Sequence, residues 1–288
     1  MCMPITFDDL RATGRYTIGD FRGIPVVSHD DDRWIVPVVA AARTEAIVQT
    51  PTLLVCLDRH HDGCNVQGGL GPLPEIRKTD PPAAELLAAV ESRLSANDDD
   101  WIRAGMELGL FSDAVIWGVD PDGPHLPDDG AFTDHLGNEH RLFTSAELPG
   151  GQLAYQGRLS DLARREELQS YWSALGWKPG RGGWTFKDEM RCVLNIDLDC
   201  FVVRWQEFCW PWPEEVWEKR FYAAADYVRD QRLSTSTVLQ DLLKHTALIT
   251  IAREPIYTGG REKGRLIEEQ LRRFLFEGDL DLPPYPGE

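Results

Sequence analysis

Two short acidic clusters, each directly after an apolar, β-prone run, constrain the fold of this chain more than any other feature. Leu53–Leu57 precedes Asp58, His60 and Asp62 at alternate positions, and Cys192–Leu194 leads to Asp197 and Asp199. Side chains at alternate positions of an extended segment point to the same side, so the members of each cluster can converge. Carboxylates at this density repel one another unless a cation neutralises them. The pattern therefore predicts a site for two divalent metal ions.

Strand-like and helix-like segments alternate along the sequence. Buried strands are predicted by mostly apolar runs at 23–29, 51–57, 114–119, 191–196 and 247–252. Helices are predicted at 34–46, 83–94, 101–110, 160–175, 213–230, 234–245 and 261–276, and a turn at Pro149–Gly151 within a loop-rich middle. We expect one domain over residues 1–288, of the α/β class, with a mostly parallel sheet flanked by helices. Ligands of such folds bind at the carboxyl ends of strands, which is where both acidic clusters fall.

Bulk properties exclude several functional classes. With 288 residues and 42% hydrophobic residues the chain can bury a substantial core, and global disorder is not expected. A net charge of −17 argues against a nucleic-acid partner, which requires a basic surface. No apolar run approaches the roughly 20 residues that span a bilayer, so no membrane association is expected. The six cysteines form no C-x-x-C pair and no signal peptide is recognisable, so a reduced, cytoplasmic protein is predicted.

Taken singly, these residues also have structural interpretations. Each aspartate could cap a helix or end a strand, and Glu254 before Pro255 could simply begin a loop. The segment Trp210–Pro213 could line a substrate groove or pack in the core, and His61 points away from His60 in an extended strand. The joint pattern favours metal binding. A ligand set dominated by carboxylates suits a hard to intermediate ion such as Mn²⁺, and two such ions can activate a shared water.

The motifs resemble those of the arginase, or ureohydrolase, superfamily. Asp58-x-His60-x-Asp62 is similar to its D-x-H-x-D motif, Asp197-x-Asp199 to its later D-x-D motif, and Thr250–Pro255 to its strand-terminal glutamate before proline. The resemblance covers roughly residues 24–260 in short blocks. The surroundings of His29 and of Asp197–Phe201 are most similar to a group that includes peptide arginases. Those enzymes convert arginine side chains of a precursor peptide to ornithine in ribosomal peptide natural-product (RiPP) pathways.

The resemblance implies an arginase-like three-layer fold and a role for each matched residue. Asp58 and Asp197 would bridge two Mn²⁺ ions, and His60 and Asp199 would complete one of them. Asp62 would hold the other ion, together with His29 as the histidine from an earlier strand end. Glu254 would receive the substrate guanidinium through a bidentate, charge-assisted pairing. Proton delivery to the leaving amine would come through Asp62 or a solvent relay.

Departures from the superfamily pattern bear on the substrate. The usual G-G-D-H block is replaced by Val26–Asp30, the usual Asp-Pro pair by Cys200-Phe201, and the proton-shuttle histidine has no counterpart. Three functional hypotheses follow. The first is a hydrolase that releases urea from an arginine-containing precursor peptide, a post-translational modification. The second is a ureohydrolase of a small guanidino compound such as arginine or agmatine, and the third is a non-catalytic binding homologue.

Overall fold

The chain is described by a computed structural model. It describes residues 4–66, 82–95, 99–120, 123, 126, 130–145, 148, 178–180, 183–185, 191–205, 208–222, 225–228 and 231–283. The predicted turn at Pro149–Gly151 and the predicted helix at 160–175 lie outside these residues. In the described part, no helix is long and apolar enough to cross a membrane.

Nine strands form one sheet around which the described part of the chain is built. The strands in chain order are β1 (Thr17–Phe21), β2 (Ile24–His29), β3 (Thr52–Leu57), β4 (Phe111–Trp117), β5 (Ala131–Thr133), β6 (Glu139–Ser145), β7 (Lys178–Gly180), β8 (Gly183–Thr185), β9 (Cys192–Asp197), β10 (Val202–Trp205), β11 (Phe208–Pro211), β12 (Ala225–Val228), β13 (Gln231–Leu233), β14 (Thr246–Ala252) and β15 (Leu280–Asp281). The sheet order is β15-β1-β2-β14-β9-β3-β4-β6-β5. Its six central strands, β2-β14-β9-β3-β4-β6, are parallel to one another. The strands at the two edges, β15 and β1 on one side and β5 on the other, pair in antiparallel fashion.

Helices cover both faces of this sheet. They are α1 (Phe7–Ala12), α2 (Ile35–Thr44), α3 (Ala83–Arg93), α4 (Trp101–Glu107), α5 (Glu214–Tyr222), α6 (Thr235–Leu243), α7 (Pro255–Thr258) and α8 (Arg261–Phe274). The first four contribute to one hydrophobic core and α5, α6 and α8 to another. Strand β3 is shared between them, since Leu54 and Cys56 face the first core and Val55 and Leu57 the second. The predicted α/β fold with a mostly parallel sheet between helical layers is confirmed.

The strand register brings four carboxyl ends to the same level of the sheet. Ala252 at the end of β14 is paired with His29 of β2 on one side and with Asp197 of β9 on the other. Leu57 at the end of β3 is paired with Ile196 of β9. Residues that follow β2, β3, β9 and β14 are therefore neighbours in space although they are far apart in sequence. This edge of the sheet is where the acidic clusters lie.

Aromatic packing fixes the turn that follows β9. After Asp197 the chain forms a 3-10 turn, Leu198–Phe201, and Phe201 enters the core. Its ring stacks on Trp217 at a centroid distance of 4.7 Å, and Trp217 stacks in turn on Phe274 at 5.6 Å. Such pairs contribute about 0.5–1.5 kcal/mol beyond the area they bury. The turn that carries Asp199 is thus held by the core beneath it.

The predicted helix over 213–230 was wrong in its second half. The helix α5 ends at Tyr222, and Ala225–Val228 pairs as β12 with β13 in an antiparallel hairpin. Pairing with residues further along the chain supplies the backbone hydrogen bonds that a continued helix would have made, and local propensity is too weak to compete with such pairing. The other helices and strands predicted within the described residues are present, with bounds shifted by up to three residues.

Candidate metal centre

Six buried carboxyl groups and one imidazole meet at the carboxyl edge of the parallel strands. They belong to Asp32, Asp58, His60, Asp62, Asp197, Asp199 and Glu254. Their possible ligand atoms form three overlapping groups, and within each group these atoms lie within 4.8 Å of one another. The groups are Asp58–His60–Asp197–Asp199, Asp32–Asp58–Asp62 and Asp32–Asp197–Glu254. Asp32, Asp58 and Asp197 each belong to two groups, so these three carboxylates are placed to be shared between ions.

The same local turn orients the first aspartate of each motif. The amide N–H of His60 donates to Asp58 Oδ1 at 2.6 Å, and the amide N–H of Asp199 donates to Asp197 Oδ1 at 3.0 Å. Aspartates at strand ends make such turns to their own backbone two residues on. The His60 ring then lies with Nδ1 3.3 Å from Asp199 Oδ2. The two motifs, which are about 140 residues apart in sequence, are thereby joined into one group.

Asp32 is the residue of the centre that sequence analysis missed. It begins the 3-10 turn Asp32–Trp34 directly after β2 and is fully buried. Its Oδ1 accepts a hydrogen bond from Asn195 Nδ2 at 3.3 Å, and Asn195 Oδ1 accepts from Thr250 Oγ1 at 2.8 Å. Partners of this kind orient ligating carboxylates in metal sites. The signal in the sequence was the run Asp30-Asp31-Asp32 after a strand end, which could not by itself indicate which acid turns inward.

Asp62 and Glu254 are held in an uncommon backbone conformation. Their φ angles are 46° and 39°, in the left-handed region that costs a residue other than glycine roughly 1–3 kcal/mol. Trp101 Nε1 donates to Asp62 Oδ2 at 2.7 Å, and the Glu254 carbonyl accepts from the Thr258 amide at 2.9 Å. Strain that the surrounding structure sustains in this way is concentrated at functional sites. The carboxylates of both residues belong to the candidate ligand groups described above.

Burial and mutual repulsion dominate the electrostatics of the centre. Burial is the largest cause that raises the pKa of Asp32, Asp62 and Asp197 well above the usual range for aspartate. The next cause is the charge of Asp58 for the first two and the charge of Asp199 for Asp197. Asp197 Oδ2 is also buried without a hydrogen-bond partner among the described residues. Bound cations reverse each of these costs, because they stabilise the ionised carboxylates.

The structure brings together all the predicted ligands except His29. That histidine ends β2 but faces the α1 and α2 side of the sheet, where its ring meets Tyr16 edge-on at 6.3 Å. Burial and then the charge of Arg253 lower the pKa of His29 to about 3. Its ring nitrogens belong to none of the three groups found among the described residues. Asp32, three residues further along the chain than His29, forms one of these groups with Asp58 and Asp62.

The donor set fits divalent cations of hard to intermediate character. Carboxylate oxygens outnumber the single imidazole, and no cysteine belongs to any group among the described residues. Oxygen-rich sites of this type suit Mg²⁺ or Mn²⁺ rather than softer ions. Fold and site together define a carboxylate-rich candidate metal centre on a parallel α/β sheet.

Comparisons with known proteins add little to this description. No sequence-family model matches the chain, and no curated protein matches it in sequence. A crystal structure of a hypothetical agmatinase from Burkholderia thailandensis is similar, with a TM-score of 0.36 and 13% identity. The similarity covers 88% of this chain and 59% of that one, so this chain spans less than two thirds of that protein. A TM-score of 0.36 is too low to support a shared function.

Proposed function

We propose that this chain is a divalent-metal-dependent hydrolase of the guanidino group, and that its substrates are arginine side chains in a precursor peptide. The observation that carries the proposal is the joining of both acidic motifs, with Asp32 and Glu254, into overlapping ligand groups at one sheet edge. Six buried carboxyl groups in one place are costly to a protein that does not bind cations there.

Two groups of residues would hold the ions. Asp58, His60, Asp197 and Asp199 would hold one, and Asp32 with Asp58 and Asp62 would hold the second. When bound, a pair of Mn²⁺ ions would lower the pKa of water and supply the nucleophile that the resonance-stabilised guanidinium carbon requires.

Glu254 would position the substrate cation. Its carboxyl group is buried and borders Asp32 and Asp197, so a guanidinium paired with it would lie beside the ions. A carboxylate and a guanidinium match as planar, bidentate partners, and their pairing is stronger where water is excluded. The left-handed backbone of Glu254 and the hydrogen bonds from Thr258 to its carbonyl hold it in place.

The reaction would be hydrolysis of the bond between the guanidinium carbon and Nε of the arginine side chain. The water oxygen becomes the carbonyl oxygen of urea, and both water protons reach the leaving nitrogen, which departs as the ammonium of ornithine. Asp62 would carry one proton to that nitrogen. The indole of Trp101 donates to Asp62 Oδ2 and so fixes the orientation of this carboxyl group.

An exposed apolar rim supports a peptide as the substrate. The rim is formed by Phe208 and Trp210 of β11 and Ile256 of α7, which are 51%, 55% and 84% exposed. Ile256 is two residues from Glu254, and Lys263 fixes Trp210 by lying 4.7 Å from its ring centroid. Of the predicted tryptophan segment, Trp212 packs in the core against Phe201 and only Trp210 is exposed. Exposed apolar residues beside a site favour a ligand with its own apolar side chains.

The test is urea release by the Mn²⁺-loaded protein from free arginine, agmatine and arginine-containing peptides, with mass spectrometry of the peptides for ornithine. We expect urea from peptides. Glu254→Gln should abolish turnover while both ions remain bound, and Asp199→Ala should lose an ion. The matched control is Glu262→Gln, an exposed glutamate of α8 outside the acidic groups, which should behave as the native protein.

Each contrary result has a distinct meaning. Equal turnover of free arginine or agmatine would overturn the peptide specificity and leave a small-molecule ureohydrolase. Two bound ions without urea from any substrate would overturn guanidino hydrolysis and leave a binding protein.

A further inference from the structure

A basic cavity adjoins the candidate metal centre. It is open to solvent and has a volume of about 340 Å³, which lies within the size range of small-ligand sites. Its charged lining consists of Arg59, Arg204, Arg220 and Asp120, and the remaining wall includes Gly118 and Trp212. Three arginines around one cavity stand out in a chain whose net charge is −17.

Positive charge is in excess among the described residues that line this cavity. Arg59 forms an ion pair with Asp120 at 2.9 Å, which leaves Arg204 and Arg220 without an ion-pair partner among the described residues. The guanidinium of Arg220 lies 4.7 Å from the ring centroid of Trp212, which holds it flat against the wall. A stacked guanidinium keeps its N–H donors in a fixed fork that suits a carboxylate.

The cavity and the metal centre share their wall. Arg59 lies between the ligands Asp58 and His60, and its amide N–H donates to Asp199 Oδ1 at 3.4 Å. Gly118 closes the other side so tightly that a Cβ there would lie 2.6 Å from Cys200 Sγ and 3.1 Å from the Asp58 carbonyl oxygen. Arg59 therefore contributes both to the lining of the cavity and, through its amide, to the metal centre.

We propose that this cavity binds a carboxylate of the molecule whose guanidinium enters the metal centre. The inference rests on the proposed function and narrows it: the substrate is dipolar, with its cation at Glu254 and its anion at Arg204 and Arg220. In a peptide the carboxylate belongs to an acidic residue next to the arginine or to the C-terminus. In free arginine it is the α-carboxylate. Agmatine, which has no carboxylate, lacks this contact.

Binding can be measured without turnover, by protection of arginines from phenylglyoxal with mass-spectrometric mapping. The probes are N-acetylglycine, which carries a carboxylate, and N-acetylglycinamide, its neutral amide. We expect the acid, and not the amide, to protect Arg204 and Arg220. Arg141, an exposed arginine on β6, is the internal control and should be modified equally with either probe. Equal protection by both probes, or protection by neither, overturns the carboxylate site whatever the enzyme hydrolyses.

Turnover then tests the role in substrate recognition. Two peptides that differ only by Asp or Asn after the arginine are compared, and so are arginine and agmatine. Arg220→Gln should lower kcat/KM for the Asp peptide by roughly tenfold to hundredfold and change the Asn peptide little, because only one charge-assisted contact is lost. Arg141→Gln should change neither. An unchanged preference between the two peptides in Arg220→Gln overturns the recognition role. Preference for arginine over agmatine assigns the carboxylate to the free amino acid, and preference for the Asp peptide assigns it to a neighbouring residue.

Discussion

Replacement of Asp32 by asparagine should change the stability of the metal-free protein and its metal affinity in opposite directions. Asparagine has nearly the same shape and can still accept the hydrogen bond from Asn195. It lacks the negative charge of the aspartate. That charge helps to bind the second ion, but without metal it is repelled by the neighbouring carboxylates. A residue with only a structural role would not separate the two effects in this way.

The magnitude follows from the geometry of the groups. Asp32 shares groups with four carboxyl residues, Asp58, Asp62, Asp197 and Glu254, at ligand-atom distances up to 4.8 Å. At an effective dielectric constant of 20, each ionised pair at that distance costs about 3.5 kcal/mol. Four such pairs together would match the entire stability of a typical domain, so the neighbouring charges add to burial in raising the pKa of Asp32 well above its ordinary value. Keeping an aspartic acid protonated at pH 7 costs at most about 4 kcal/mol, from about 1.4 kcal/mol for each pH unit above its ordinary pKa.

We therefore expect Asp32→Asn to raise the free energy of unfolding in EDTA at pH 7 by up to about 4 kcal/mol. The affinity for the second ion should fall by about tenfold to a hundredfold, the range seen when groups that support metal ligands are lost. Urea denaturation and metal analysis by mass spectrometry measure the two effects. Asp134→Asn is the control, because Asp134 is buried but accepts hydrogen bonds from Leu136 and Asn138, so this variant should be destabilised with unchanged metal content. Loss of stability with normal metal content in Asp32→Asn itself would refute the reasoning.

Three further predictions concern the surroundings of the centre. Without metal, the free energy of unfolding should fall as pH rises from about 4, because the raised pKa values of Asp32, Asp62 and Asp197 make the folded chain hold more protons than the unfolded chain. Bound Mn²⁺ should flatten this pH dependence. A metal-free stability that rises over the same pH range would contradict the prediction. Trp101→Phe should weaken metal binding by about tenfold to a hundredfold because Asp62 loses its indole donor, as measured by Mn²⁺ titration; an unchanged Mn²⁺ affinity would contradict the role of this donor. Gly118→Ala should lower the free energy of unfolding more than Gly137→Ala does. Both glycines have positive φ, but only a Cβ at Gly118 would meet other atoms, so the expected difference is about 1–3 kcal/mol. Equal shifts of the thermal midpoint would count against the close packing at Gly118.

The contrast between Asp32 and His29 illustrates what local sequence can predict. The sequence places both after a strand, and the resemblance to arginases favoured the histidine. Strand alternation puts His29 on the face of Val27, against Tyr16, whereas a 3-10 turn returns Asp32 over the strand end. The direction of that turn depends on contacts with Asn195, which is more than 160 residues away in sequence.

What the sequence determined by itself is five of the six central strands (β2, β3, β4, β9 and β14), their parallel arrangement and the two acidic motifs, because apolar periodicity and alternation are local properties. Tertiary structure alone decided which acids are shared, that Asp32 belongs to these groups while His29 does not, and that Arg59, Arg204 and Arg220 line one cavity. These features depend on the register of β2, β14, β9 and β3, which aligns strand ends from distant parts of the chain. Register is set by the packing of whole faces of the sheet, and no short segment contains that information.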